Sequence, residues 1–126
     1  MPRPYKTLAA VLLAAACVVP ASAAGATPAR PCNSADLRYP FEPGGPKTFG
    51  VFGLRIAGGP CDTAHQVAKA WMNRFEAAFR AGRTVVPRSV AGFKFTTLPT
   101  HAAQTFRERG RSRVTTIWFD YRIPNG

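Results

Sequence analysis

The sequence predicts an α+β fold: one amphipathic helix packed on a small antiparallel sheet, in β-α-β-β order, with one disulfide. Three observations carry that expectation. Residues 62–82 place apolar side chains at steps of three and four, segments on either side alternate with period two, and two cysteines remain once an N-terminal export segment is set aside. The chain is 126 residues long, enough for one small domain. Hydrophobic residues make up 46% and charged residues 18%, which excludes a disordered polyelectrolyte and a multi-span membrane protein. The balance of 17 Lys+Arg against 6 Asp+Glu favours anionic partners.

The first 23 residues read as a signal peptide. Arg3 and Lys6 precede an uncharged apolar run, Leu8 to Val19. That run is shorter than the ~20 residues of a transmembrane helix and suits a secretory segment. Pro20 breaks it, and Ala21-Ser22-Ala23 offers the small-x-small pattern of a cleavage site. Cys17 raises a lipid-anchored alternative. The position three before it is Ala14 rather than Leu13, one step out of register for a lipidation signal, so an ordinary signal-peptide cysteine is the better reading. Cleavage removes Cys17 and leaves Cys32 and Cys61, which an exported protein would join in a disulfide. The protein is therefore expected outside the cytoplasm, secreted or periplasmic.

Residues 24–47 form a Pro/Gly-rich tail and arm, with Pro28, Pro31, Pro40, Pro43, Pro46, Gly44 and Gly45. Ala24 to Arg30 is expected to be loose, and Asn33 to Lys47 to be tied down by the disulfide. Closing a loop of this size contributes about 3 to 4 kcal/mol. Residues 48–126 make the single domain. Thr48 to Ala57 predicts a strand with Phe52, Leu54 and Ile56 on one side and Phe49, Val51 and Arg55 on the other, while Gly50 and Gly53 permit a bulge.

The helix follows. Asp62 or Thr63 would cap it, with Gln66 at capping-box spacing, and Gly82 would end it. Ala64, Val67, Ala68, Trp71, Phe75, Ala78 and Phe79 make the apolar face. His65, Lys69, Asn73, Glu76 and Arg80 fall largely opposite, with Glu76 and Arg80 as an i,i+4 pair. Val85 to Ser89 is a linker, and Val90 to Leu98 a second strand with Phe93 and Phe95 on one side. Gln104–Arg109 and Ser112–Ile123 form a hairpin turning at Gly110, whose last strand alternates cleanly. Ile117, Phe119, Tyr121 and Ile123 face one way, Thr116, Trp118, Asp120 and Arg122 the other. The helix would bury Trp71, Phe75 and Phe79 against Leu54, Ile56, Phe95, Phe119 and Tyr121.

The run from Gly59 to Trp71, GPCDTAHQVAKAW, resembles a pattern in small exported proteins of high-GC bacteria, mostly of uncharacterised function. There a strand ends in Gly, and Cys-x-x-Ala-x-x-Val-Ala-x-x-Trp opens the single helix. The resemblance spans residues 32 to 123 and implies this fold and export, with no activity attached. Those proteins carry a further Cys pair. Here Phe95 stands at one position and Phe106 at the other, which implies that a contact between the rings replaces the second disulfide.

Nothing in the sequence assembles a catalytic centre, and the expectation is a protein that is not an enzyme and holds no cofactor. The six acids lack the spacing of a general acid/base couple. His65 and His101 lie in no metal or nucleophile motif, and two thiols so far apart cannot complete a metal site. No serine sits in a Gly-x-Ser-x-Gly elbow. The informative stretch is Arg107-Glu108-Arg109-Gly110-Arg111-Ser112-Arg113. Arginines at alternate positions of a hairpin project from one face, where guanidinium groups grip phosphate or carboxylate. Its bland counterpart is GC-rich coding, which also favours Arg over Lys, and a solubilising charge run.

The expected function is thus a secreted, non-catalytic basic binding module. Arg107, Arg109, Arg111 and Arg113 would contact an anionic envelope polymer or lipid surface. A second expectation is a secreted inhibitor or protein-protein interaction domain using Trp118 as an exposed anchor. A third is a cationic membrane-active protein. Export argues against an intracellular nucleic acid as partner.

Overall fold

A computed structural model describes residues 27–123; the signal-peptide reading of residues 1–23, with Cys17 and its lipid-anchor alternative, lies outside them. Strand β1 (Arg30–Pro31), a single 3-10 turn (Ala35–Leu37) and β2 (Arg38–Pro40) lead into the long β3 (Lys47–Ala57). Helix α1 (Cys61–Arg80) follows, then β4 (Ser89–Val90), β5 (Phe93–Leu98), β6 (Thr105–Ser112) and β7 (Thr115–Arg122). One seven-stranded sheet runs β1-β3-β7-β6-β5-β4, with β2 also paired to β3, and every pairing is antiparallel. The α+β class and the single helix on an antiparallel sheet stand. The β-α-β-β order does not: among the described residues three strands precede the helix and four follow it.

The arm is the first source of that difference. Its prolines left it looking irregular, yet Arg30–Pro31 and Arg38–Pro40 pair with β3, where edge positions tolerate a missing N–H. Cys32 and Cys61 form the expected disulfide, Cα atoms 5.4 Å apart, and Cys32 N–H donates to the Leu54 carbonyl at 2.8 Å. Buried Ser34 donates from Oγ to the Val51 carbonyl at 2.9 Å, and Leu37 enters the core.

Helix α1 begins two residues earlier than a cap at Asp62 would place it. Pro60 occupies the N-cap with no side-chain cap, so neither Asp62 nor Thr63 caps it. Cys61, held by the disulfide, takes the first helical position, and the Pro60 carbonyl accepts from Thr63 at 3.1 Å. Asp62 in the first turn and Arg80 in the last suit the helix dipole. Ala64, Val67, Ala68, Trp71, Met72 and Phe75 are buried. Trp71 is the centre of the core: its ring stacks on Phe75 at 5.4 Å and meets Phe119 and Tyr121, each at 5.3 Å. Phe79, expected in the core, is 45% exposed and only stacks on Phe75. Glu76 rather than Phe79 meets the sheet at this end, because the hydroxyls of Tyr39 and Tyr121 both donate to its Oε2.

Strand β3 reverses its facing midway. Val51 is fully buried and pairs with Tyr121, whereas Phe52 lies on the outer side opposite Asp120. Leu54 and Ile56 are again buried, so the expected grouping of Phe52 with them, and of Phe49 and Val51 against them, is wrong. The register slips between Phe52 and Arg55, where Gly53 at φ +63° takes a left-handed conformation. One extra residue in the bulge shifts the alternation by one.

Two turns also fall elsewhere than expected. Val90 to Leu98 is two strands, because Ala91 and Gly92 both have positive φ and close a two-residue turn between β4 and β5. The β6–β7 hairpin turns at Arg113–Val114, and Gly110 lies within β6 opposite Phe95. A Cβ at Gly110 would sit 2.6 Å from the Phe95 ring, so this glycine is a socket rather than a turn. The register places the Thr97–Glu108 pair between Phe95 and Phe106. Those rings pack apart, Phe95 on Phe119 and Phe106 on Phe75, not in the mutual contact that the resemblance implied.

Candidate functional site

The α1-facing side of the sheet takes Phe93, Phe95, Ile117, Phe119 and Tyr121. The alternate residues of the same strands point the other way, and there the sequence of the Arg-rich stretch acquires its geometry. Arg107, Arg109 and Arg111 all project from the outer face of β6, about 6.8 Å apart in steps of two residues. They belong to a flat strand, not to a hairpin tip. Arg113 does not join them, because it lies in the turn at φ +52°.

Cross-strand pairing extends these arginines into rows. One row reads Lys94–Arg111–Thr116, with Ala57 beyond; the next reads Thr96–Arg109–Trp118–Arg55. A third reads Leu98–Arg107–Asp120–Phe52. At the end Arg122 and Arg38 flank Gly50 across β3. Adjacent members of a row stand about 5 Å apart. Among the described residues the sheet face carries seven basic side chains, Arg38, Arg55, Lys94, Arg107, Arg109, Arg111 and Arg122, against the single acid Asp120.

Aromatic rings seat three of these cations. The Arg55 guanidinium lies 5.1 Å over Trp118, and Phe52 is held by Arg122 at 4.1 Å and Arg38 at 4.7 Å. Trp118 thus stands opposite the core, as expected, but under a guanidinium rather than as a bare apolar anchor. Asp120 accepts from Arg107 Nε at 3.0 Å and from Nη2 at 3.2 Å, and this pairing raises the Arg107 pKa further. Arg109 Nε is closed off from solvent with no acceptor among the described residues, an unmatched donor on this face.

A hollow of about 270 Å³ opens in this face beside Gly53 of the β3 bulge. Arg55, Arg107, Trp118, Leu98 and Asp120 surround it, and a Cβ placed on Gly53 would meet nothing within 4 Å. Sequence alternation alone could not reveal it, because its walls come from four strands that only their register brings together.

Elsewhere three titratable groups gain partners that sequence spacing missed. Glu76 keeps its Arg80 pair at 3.8 Å, yet its main partners are Tyr39 and Tyr121. Burial, then the bond to the Glu76 carboxylate, pushes the Tyr39 hydroxyl up to about 12. His65, expected to be solvated, meets Asp36 at 2.6 Å, and that hydrogen bond lowers the Asp36 pKa. Glu108 is fully buried on the core face of β6. Burial raises its carboxyl to about 7, opposed by a 2.6 Å hydrogen bond from Thr97 Oγ1 and by the Trp71 indole N–H nearby. Its phase with Phe106 and Gly110 was the available signal.

Among the described residues no group of three or more metal-ligating side chains occurs, and no helix is long and apolar enough to cross a membrane. The disulfide fits an oxidising extracellular or periplasmic location. Comparison with family models, with curated proteins and with solved structures gave no match to this chain.

Proposed function

We propose that this protein is an exported, non-catalytic module that holds an anionic polymer of the cell envelope against the outer face of its sheet. The observation that carries the reading is the sheet face itself, seven cations to one acid on rigid, paired strands. Strands hold the guanidinium groups at fixed spacing, so less side-chain freedom is lost on binding than from a flexible tail. The grip lies with Arg107, Arg109 and Arg111 together with Lys94 and Arg55; Arg113 is peripheral. The disulfide and the Cys61–Trp71 motif support the export half of the reading.

The test is co-sedimentation of the oxidised domain with isolated envelopes across a salt series. With four or five charges engaged, binding falls about 10²-fold between 50 and 200 mM salt. The double variant Arg109→Ser, Arg111→Ser flattens that slope by roughly two charges. Binding indifferent to salt transfers the role to a protein partner at Trp118. Leakage of anionic vesicles without retention on envelopes transfers it to membrane action.

A further inference from the structure

A face built only to attract charge would be poorly served by its own centre. Asp120 places a carboxylate among the arginines, beside a hollow of about 270 Å³ with Trp118 and Leu98 in its walls. A plain string of phosphates has nothing to put there: the carboxylate repels it and the apolar walls give it no contact. The hollow asks for a neutral group with hydrogen-bond donors to offer Asp120 and carbon surface to offer Trp118 and Leu98.

Resting on the proposed envelope-polymer reading, we propose that the polymer is an anionic polysaccharide, with one neutral sugar ring seated in the Gly53 hollow and acidic groups on the arginine rows. Asp120 is engaged by Arg107 through both oxygens but retains lone pairs, and a sugar hydroxyl donates to them. The C–H surface of the ring lies against Trp118 and Leu98, while Arg55 and Arg107 at the rim reach the acidic groups of flanking residues. Alternation along the polymer of ring and charge matches alternation on the face of hollow and cation. Arg109 Nε, shut in beside Trp118 with no acceptor among the described residues, gains one when a ligand oxygen reaches it.

Altering the hollow separates sugar recognition from charge. Affinities are measured by Trp fluorescence and calorimetry, on the oxidised domain, for hyaluronan oligosaccharides (a uronate alternating with a neutral amino sugar), linear polyphosphate and oligo(dT) at matched charge and salt. The expected result is hyaluronan about tenfold tighter than polyphosphate, a difference of ~1.4 kcal/mol. Leu98→Trp, which fills the hollow without removing a charge, and Asp120→Asn, which removes the acceptor charge, each bring hyaluronan close to polyphosphate. Polyphosphate binding survives Leu98→Trp and strengthens in Asp120→Asn. Thermal unfolding confirms that both variants are folded.

Equal wild-type affinity for hyaluronan and polyphosphate overturns the sugar assignment and leaves the charged face intact. So does a preference for hyaluronan that persists in both variants. Tighter binding of oligo(dT) than hyaluronan reassigns the hollow to a base and overturns it too. Failure of all three polymers to bind overturns the proposed function itself.

Discussion

The two faces of one sheet follow opposite rules on the same strands. On β6 the residues facing α1 are Phe106, Glu108 and Gly110, and those facing outward are Arg107, Arg109 and Arg111. The inner face is stabilised by removing apolar area from water, with Trp71, Phe119 and Tyr121 fully covered. The outer face is organised by arginines lying on Phe52 and Trp118, with no layer above them among the described residues. Substitution inside therefore changes whether the chain folds, and substitution outside changes what the folded chain holds.

The contrast is sharpest at Trp71. Trp71→Ala removes the ring that joins Phe75, Phe119 and Tyr121 and costs about 3 to 5 kcal/mol of stability, read from denaturant midpoints. A cost near that of an exposed position would erase the distinction between the faces.

Glu108 tests the inner face from its polar exception. Burial pushes its carboxyl up to about 7 in the fold from 4.5 for a free glutamate, so the folded state binds the proton more tightly. That contribution is whole below pH 4.5 and is lost as pH rises through about 7. Wild type accordingly unfolds more easily at pH 8 than Glu108→Gln, by up to about 3 kcal/mol, and the gap closes toward pH 5. A gap that stays constant with pH would show that the carboxyl is not the strained element of the core.

The outer face yields the smallest stability effects. Arg55→Ala loses its seat over Trp118 and costs about 0.5 to 1 kcal/mol by thermal unfolding, while the envelope binding described above weakens. A cost as large as that at Trp71 would make Arg55 part of the core in all but position.

Legibility divided along the same line. Period 3.6 in α1 and period two in β7 were plain, because every apolar position there faces a single core. Phe52 was misplaced because a bulge leaves no mark in composition beyond a permissive Gly53. Gly110 looked like a turn because sequence does not display the Phe95 ring lying against it. Apolarity along α1 predicts Phe79 rather than Glu76 against the sheet, because Tyr39 reaches α1 only through the folded arm.

The sequence by itself determined the class, the single helix, the Cys32–Cys61 pairing and the alternation that separates Arg107, Arg109 and Arg111 from the core. These depend on local period and on counting, which need no partner. The tertiary structure decided that Arg55, Lys94, Arg122 and Trp118 stand beside those arginines, and that a hollow opens among them. Strand register sets both, and register is fixed by pairing energies and by one extra residue at Gly53, quantities spread across the sheet rather than written at any position.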